Sequence, residues 1–213
     1  MTKRIALLTL HDEGYQPLAD VTMPGKQEYC DRHGYVLVTA KDFPHIDPKN
    51  TWLRLPCTLE LLEAGFDAVM WIDCDVMIMN HEIRVEDRLQ EHKLVISADF
   101  NGVCAGTYIA AKHPQTIQYF FVLANTGPKI SYEYNMREQG AMAMLLYRHP
   151  YLDLATILPQ RSMNSYAERY VKGIRQPTHD GIWQPGDWMI HFVAGPLSHR
   201  IPLAQAYLAH VQK

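Results

Sequence analysis

Phe66-Asp67-Ala68-Val69-Met70-Trp71-Ile72-Asp73-Cys74-Asp75-Val76-Met77-Ile78-Met79-Asn80 decides the reading of this chain. An apolar run of this kind, entered after Gly65 and left through two carboxylates, predicts a strand at the centre of an α/β sheet. Extended through the triplet, a period of two sends Asp73 and Asp75 to one side and Cys74 to the core. Two hard oxygen ligands at that spacing suit a divalent cation held against a phosphate; the pair serves equally well as loop caps or solvated acids.

Upstream, Asn50 or Thr51 is placed to cap a helix carrying Trp52, Leu55, Leu59 and Leu62, with Pro56 in its first turns and Gly65 as its stop. Ile5 to Leu10 predicts a first strand, Pro24-Gly25 a break, Lys26 to His33 a short helix ended by Gly34, and Tyr35 to Thr39 a second strand. Downstream, Leu94 to Ala98 predicts a strand and residues 99–106 an interruption before strand character resumes at Thr107 to Ala110. Pro114 opens a helix that Asn125-Thr126-Gly127-Pro128 is expected to end, and a second helix runs from Glu138 to Leu146. Leu152 to Leu158 and Met189 to Val193 read as strands and Ile201 to Val211 as a closing helix. The expected architecture is one compact α/β domain over residues 1–213.

The 213 residues hold 20 Lys plus Arg against 23 Asp plus Glu, a formal charge of -3, so no general attraction to nucleic acid or an anionic membrane is expected. Cys30, Cys57, Cys74 and Cys104 are too scattered for a metal knuckle and read as buried thiols. The first ten residues carry too short an apolar stretch for a signal peptide or a membrane span, which leads to the expectation of a soluble, cytoplasmic protein.

Other residues carry chemistry beside an ordinary structural reading. His191, in the apolar run Trp188-Met189-Ile190-His191-Phe192, suits a mixed oxygen and nitrogen coordination shell or a plain strand-end hydrogen bond. Glu138-Gln139 opens a helix, either facing a sugar at the crevice or capping. Gln160-Arg161-Ser162-Met163-Asn164-Ser165-Tyr166 concentrates donors for hydroxyls or phosphate, or for surface hydrogen bonds. Among the aromatics Trp52 and Tyr108 read as packing and Trp183 as the better stacking candidate. The dinucleotide, phosphate-loop and nucleophile-elbow motifs are all missing.

In order, these segments resemble the retaining GT-A glycosyltransferases of the galactosyl, mannosyl and xylosyl transferase family. The likeness runs from Lys26-Gln27-Glu28-Tyr29-Cys30-Asp31-Arg32-His33-Gly34-Tyr35 through Trp52-Leu53-Arg54-Leu55-Pro56 and Trp71-Ile72-Asp73-Cys74-Asp75 to His191-Phe192. It implies a GT-A fold, an α/β/α sandwich about a mixed, mainly parallel sheet, with a metal site of Asp73, Asp75 and His191 holding Mn2+ or Mg2+, and a UDP-sugar or GDP-sugar donor. It also implies a saccharide or other hydroxyl acceptor. Asp99-Phe100-Asn101-Gly102-Val103-Cys104-Ala105-Gly106 is similar to the family's donor-site segment, so Asp99, Asn101, Cys104, Ala105 and Gly106 are expected at the donor, with Phe100 replacing a Trp and Cys104 an Asn. By the same resemblance Glu138 and Gln139 stand near the transferred sugar, Arg161 and Asn164 on the nucleotide sugar, and His199 or Arg200 at the phosphates. Short of transfer, such a chain is a nucleotide-sugar-binding protein or a metal-dependent nucleotidyltransferase or phosphohydrolase.

Overall fold

β1 (Ile5–Leu8) is the seam of the molecule, because its alternate side chains enter two different cores: Ala6 and Leu8 one, Ile5 and Leu7 the other. The computed structural model describes residues 3–47, 50–130, 137–148, 150–171, 174–176 and 180–213. Along the chain follow α1 (Gln16–His33), β2 (Val36–Val38), α2 (Arg54–Glu63), β3 (Ala68–Ile72), β4 (Val76–Ile78), α3 (Val85–Leu89) and β5 (Leu94–Asp99). Then come β6 (Gly102–Ala111), α4 (Pro114–Ile130), α5 (Arg137–Leu146), β7 (Ala155–Pro159), β8 (Ser165–Tyr166), β9 (Arg169–Val171), β10 (Ile174–Gln176), β11 (Met189–His191) and α6 (Leu197–Tyr207).

The main sheet has six strands in the order β2-β1-β3-β6-β5-β7, with β6 alone antiparallel to its neighbours. β3 is buried along its whole length, as a strand covered on both faces must be. On one face Leu55, Leu62, Tyr119, Phe120, Leu123 and Met142 bring α2, α4 and α5 against Trp71, Ile96 and Tyr108. On the other, Tyr29, Cys30, Val85 and Leu89 bring α1 and α3 against Met70, Ile72 and Ile109. This is the expected α/β/α sandwich. All four cysteines are free and buried, and no helix among the described residues is long and apolar enough to cross a membrane.

A smaller sheet, β4-β11-β8, positions the site. β11 lies antiparallel to β4 with His191 opposite Val76, and parallel to β8 with His191 opposite Tyr166. The pairing sets an imidazole beside the residue that follows Asp75, although the two ring partners are 116 residues apart.

Three local expectations are corrected. Pro24-Gly25 breaks nothing: α1 is one helix of 18 residues with Pro24 inside it. Its buried face of Leu18, Ala19, Thr22, Lys26, Tyr29 and Cys30 spans both sides of the proline. Each large apolar side chain so buried contributes about 1.5–3 kcal/mol, which together outweigh the roughly 3 kcal/mol of a proline in a helix. In the same way α4 passes through Gly127-Pro128 to Ile130, and Gly127 is the residue that lets Trp52 lie against the helix. The interruption expected over residues 99–106 shrinks to the two-residue turn Phe100-Asn101; β6 already begins at Gly102.

What remains of that interruption is a bulge. Ile96 pairs with Tyr108 but Ser97 pairs with Cys104, so Ala105, Gly106 and Thr107 have no partner on β5. The orphaned backbone of Ala105 is satisfied by side chains: Gln139 Oε1 accepts from its N–H at 3.0 Å and Arg54 Nη1 donates to its carbonyl at 2.9 Å.

Candidate active site

Asp73-Cys74-Asp75 is a turn and not the extended triplet expected; Val76 N–H closes it onto the Asp73 carbonyl at 3.1 Å. The turn is pinned from beneath. Thr22 Oγ1 donates to the Cys74 carbonyl at 2.6 Å, and the fully buried Lys26 Nζ donates to the Asp73 carbonyl at 2.8 Å. Both carboxylates therefore face the same side without strand alternation.

The His191 ring meets them there. One ligand atom from each of Asp73, Asp75 and His191 lies within 4.8 Å of the others, a mixed oxygen and nitrogen set suited to a divalent cation. Asp73 Oδ1 accepts from Trp71 Nε1 at 2.9 Å and faces Arg54 Nη1 at 3.2 Å, while its Oδ2 lies on the side of Gly106. Gly106 is required by space: a Cβ there would stand 2.5 Å from His191 Cε1. His191 Nδ1 bonds Asn164 Oδ1 at 2.8 Å, and an amide oxygen can only accept. The proton is thereby fixed on Nδ1 and Nε2 is aimed at Asp75 Oδ1, 3.1 Å away.

Charge is dense. Arg200 Nη1 bonds Asp75 Oδ2 at 2.7 Å, and Arg54 Nη2 stands 3.4 Å from Glu138 Oε1, whose other oxygen takes Thr51 Oγ1 at 2.8 Å. Lys26, Arg54 and Arg200 thus surround three carboxylates, all of them largely removed from water. Burial opposes charge on His191, but the Asp75 carboxylate overcomes it and raises the imidazole to about 10. Burial likewise disfavours an ionised Asp75, yet His191 and then Arg200 hold it below the usual carboxylate value; Asp73 is raised, by burial first. Burial lowers Lys26 to about 8. A cleft of about 330 Å³ opens beside this group, walled by Leu10, His11, Asp12 and Tyr15 after β1, by Asn50, Thr51 and Arg54, and by Arg137 at the head of α5.

The sequence-derived candidates divide accordingly. Asp73, Asp75, His191 and Gly106 converge, with Cys104 and Ala105 beside them on β6. Glu138 reaches the group through Arg54, and Gln139 holds the bulge. Asn164 orients His191. Arg161 is forked onto Asp187 at 2.8 and 3.0 Å, fastening the loop before β11. Asp99 takes the Asn101 N–H on one oxygen and the Tyr166 hydroxyl on the other, while the Asn101 side chain is exposed. Of the two phosphate candidates Arg200 is at the site and His199 pairs with Glu168. Trp183 packs edge-on against Tyr207, at 5.4 Å, beside Phe192. Arg54, Lys26 and Tyr15, the last within 3.2 Å of Arg200 Nη2, had no role assigned from the sequence. The signal for Arg54 was present: a cation one position before Leu55 on the core face of an amphipathic helix.

Residues 27–167, about two thirds of the chain, match DUF273, described as a protein family of unknown function. The chain belongs to the DUF273 family. That match includes the acidic turn, Glu138, Gln139 and Asn164, and ends before His191 and Arg200. A curated relative from Schizosaccharomyces pombe, an uncharacterized alpha-1,2-galactosyltransferase, is 22% identical over 83% of this chain; the chain spans 56% of that protein's length. Among solved structures, a glycosyltransferase involved in the glycosylation of the major capsid of PBCV-1 superposes with a TM-score of 0.70 at 12% identity, covering 95% of this chain and 99% of the other. This DUF273 chain therefore shares the fold of that glycosyltransferase. The glycosyltransferase GlyE of Streptococcus pneumoniae TIGR4 aligns with a TM-score of 0.48 at 15% identity, over 76% of this chain and 46% of the other.

Proposed function

We propose that the chain acts as a single-domain, metal-dependent glycosyltransferase that moves a sugar from a nucleoside diphosphate donor to a hydroxyl of a saccharide, with retention of anomeric configuration. The observation that carries this reading is the convergence of Asp73, Asp75 and His191 to within 4.8 Å, ringed by Lys26, Arg54 and Arg200. The fold shared with the glycosyltransferase involved in glycosylation of the PBCV-1 major capsid and the relative named a galactosyltransferase support it. A divalent cation, manganese or magnesium, would be held by the two carboxylates and Nε2 of His191 and would supply positive charge against a leaving diphosphate.

The remaining steps belong to the chain. Arg54 and Arg200, bonded to the acidic turn, turn toward the oxygens of an incoming diphosphate and offset charge as the glycosidic bond breaks. Glu138, beside Arg54, faces the electron-poor sugar and steadies it from α5 while the acceptor approaches on the leaving group's own face. The cleft beside the metal residues takes the nucleoside of a UDP-sugar or GDP-sugar.

The test is a panel of UDP- and GDP-sugars with Mn2+ and saccharide acceptors, read by mass spectrometry. Donor-dependent mass gain on the acceptor is expected, lost with EDTA and with Asp75→Asn. Phosphate or nucleotide release with no glycosylated product would place the chain among phosphohydrolases or nucleotidyltransferases instead. Donor binding without any turnover would make it a binding module.

A further inference from the structure

Most of the positive charge at the site is committed to the protein itself. Arg54 donates from Nε to the Thr51 carbonyl at 3.1 Å and from Nη1 to the Ala105 carbonyl at 2.9 Å, and its Nη2 faces Glu138. Arg200 holds Asp75, the Phe192 carbonyl and the Tyr15 hydroxyl. Lys26 is fully buried and donates to the Asp73 and Cys74 carbonyls beneath the turn. Each of these cations must loosen a protein contact before it can reach a diphosphate. Arg137 need not. It stands on the wall of the same cleft as Asp73 and Asp75, at an exposed position, and makes no hydrogen bond or ion pair with any described residue.

Two local rules are broken at this residue. Its φ is +49°, a left-handed conformation that glycine or asparagine takes at little cost and a long side chain does not. It is also the first residue of α5, the end at which the helix dipole disfavours a cation. An exposed arginine without a partner is ordinary on a surface. One that is strained, at the wrong end of its helix and on the wall of a cleft has been kept for something other than stability. What it lacks is an anion. The cleft's own carboxylates do not supply one: Asp12 accepts the Tyr15 N–H at 3.1 Å, Asp73 is taken by Trp71 and Arg54, and Asp75 by His191 and Arg200.

We propose that Arg137 is the cleft's uncommitted phosphate-binding residue, which meets the donor's diphosphate from the head of α5 while the metal residues hold it from the end of β3. A planar guanidinium can bond two phosphate oxygens at once, which the point charge of a lysine cannot match. The proposal rests on the transferase reading, which brings a nucleoside diphosphate into the cleft, and deepens it by naming a residue that recognises the donor's phosphates. Glu138, the next residue, stays with Arg54 and Thr51. Neighbours on one helix thus divide the donor, Arg137 taking the leaving group and Glu138 the sugar.

The experiment is calorimetric titration of the full chain with UDP, GDP and inorganic pyrophosphate in the presence of Mn2+. In Arg137→Ala all three Kd values rise about tenfold, the loss of a charge-assisted contact, and Arg137→Lys recovers part of that loss. Uridine and guanosine, which carry no phosphate, give the same saturation-transfer NMR signal with the native chain and with Arg137→Ala. Arg137→Gly suits the positive φ, so it loses affinity to the same extent while its melting temperature stays at or above the native value; a structural role would not give that combination. Unchanged Kd values in Arg137→Ala would overturn the proposal, and so would an equal loss of the nucleoside signal or a lower melting temperature in Arg137→Gly. Nucleotide binding that Arg137→Ala leaves intact would sink this residue's role and keep the transferase reading; a native chain that binds neither UDP nor GDP would remove both.

Discussion

His191 carries the sharpest consequences at the scale of single residues. Its imidazole is raised to about 10 from 6.5 by Asp75, so in the metal-free chain it is charged at neutral pH. A metal ligand must be neutral at Nε2, and cation binding therefore releases a proton. Calorimetric titration with Mn2+ at pH 7 in buffers of different ionisation enthalpy is expected to show about one proton released per ion, and none from this position in His191→Gln. The same raised value contributes stability that is fully present below pH 6.5 and lost as pH rises toward 10. Thermal melts of the metal-free chain across that range should fall, and His191→Gln should flatten the fall. Asn164→Ala removes the acceptor that fixes the ring and leaves a buried N–H unpaired, so Mn2+ affinity is expected to drop by about 10–100-fold and stability by about 1–3 kcal/mol. The convergence of the acidic pair with the histidine was legible only through the family resemblance, since alone the acids read equally as loop caps and the imidazole as a strand-end hydrogen bond. Arg54 and Asn164 were less so, since their partners are set by folding: Ala105 lies 51 residues from Arg54 and His191 lies 27 from Asn164.

At the scale of elements, periodicity found the six strands of the main sheet, β11 and five of the helices, but it missed β4, α3, β8, β9 and β10 and misjudged where α1 starts and where α4 stops. Pro24 and Gly127-Pro128 were read as punctuation because local propensity is all a short window holds. Burial of faces extending past them decided otherwise. The error had a price in the site: with α1 started at Lys26, the shared face of Thr22 and Lys26 under the acidic turn was invisible. Gly127 gives a direct test. A Cβ there would stand 2.6 Å from Trp52 Cζ3, so Gly127→Ala should destabilise the chain by about 1–3 kcal/mol in urea unfolding, although alanine is the better helix former. Trp52→Leu in the same background should recover part of the loss. The bulge in β6 had a sequence signature, the run of small residues Ala105-Gly106, but nothing local told that Gln139 and Arg54 would complete its backbone.

At the scale of the whole molecule, the rim of the sheet where β3 ends gathers buried charge. Lys26, Arg54 and Arg200 are held beside Asp73, Asp75 and Glu138 in largely dry surroundings, an arrangement that repels a lone cation less than it welcomes a cation together with an anion. Mn2+ with UDP or GDP should therefore stabilise the chain more than either alone. At 100-fold excess over Kd the linkage is worth about 2.7 kcal/mol, read as a rise of roughly 5–10 °C in melting temperature for a chain of this size. Asp75→Asn should abolish the rise. Fold class was legible at this scale because two apolar faces alternate along β1 and β3; the pairing of β11 with β4 was not, since three-residue strands carry almost no period.

That pairing also sets a timetable. Asp75 leaves the ribosome long before His191, and at about 5–20 residues per second the separation of 116 residues takes roughly 6–23 s to appear. Through that interval the acidic turn has neither its imidazole nor Arg200, so the proposed three-residue cation site stays incomplete until β11 has emerged.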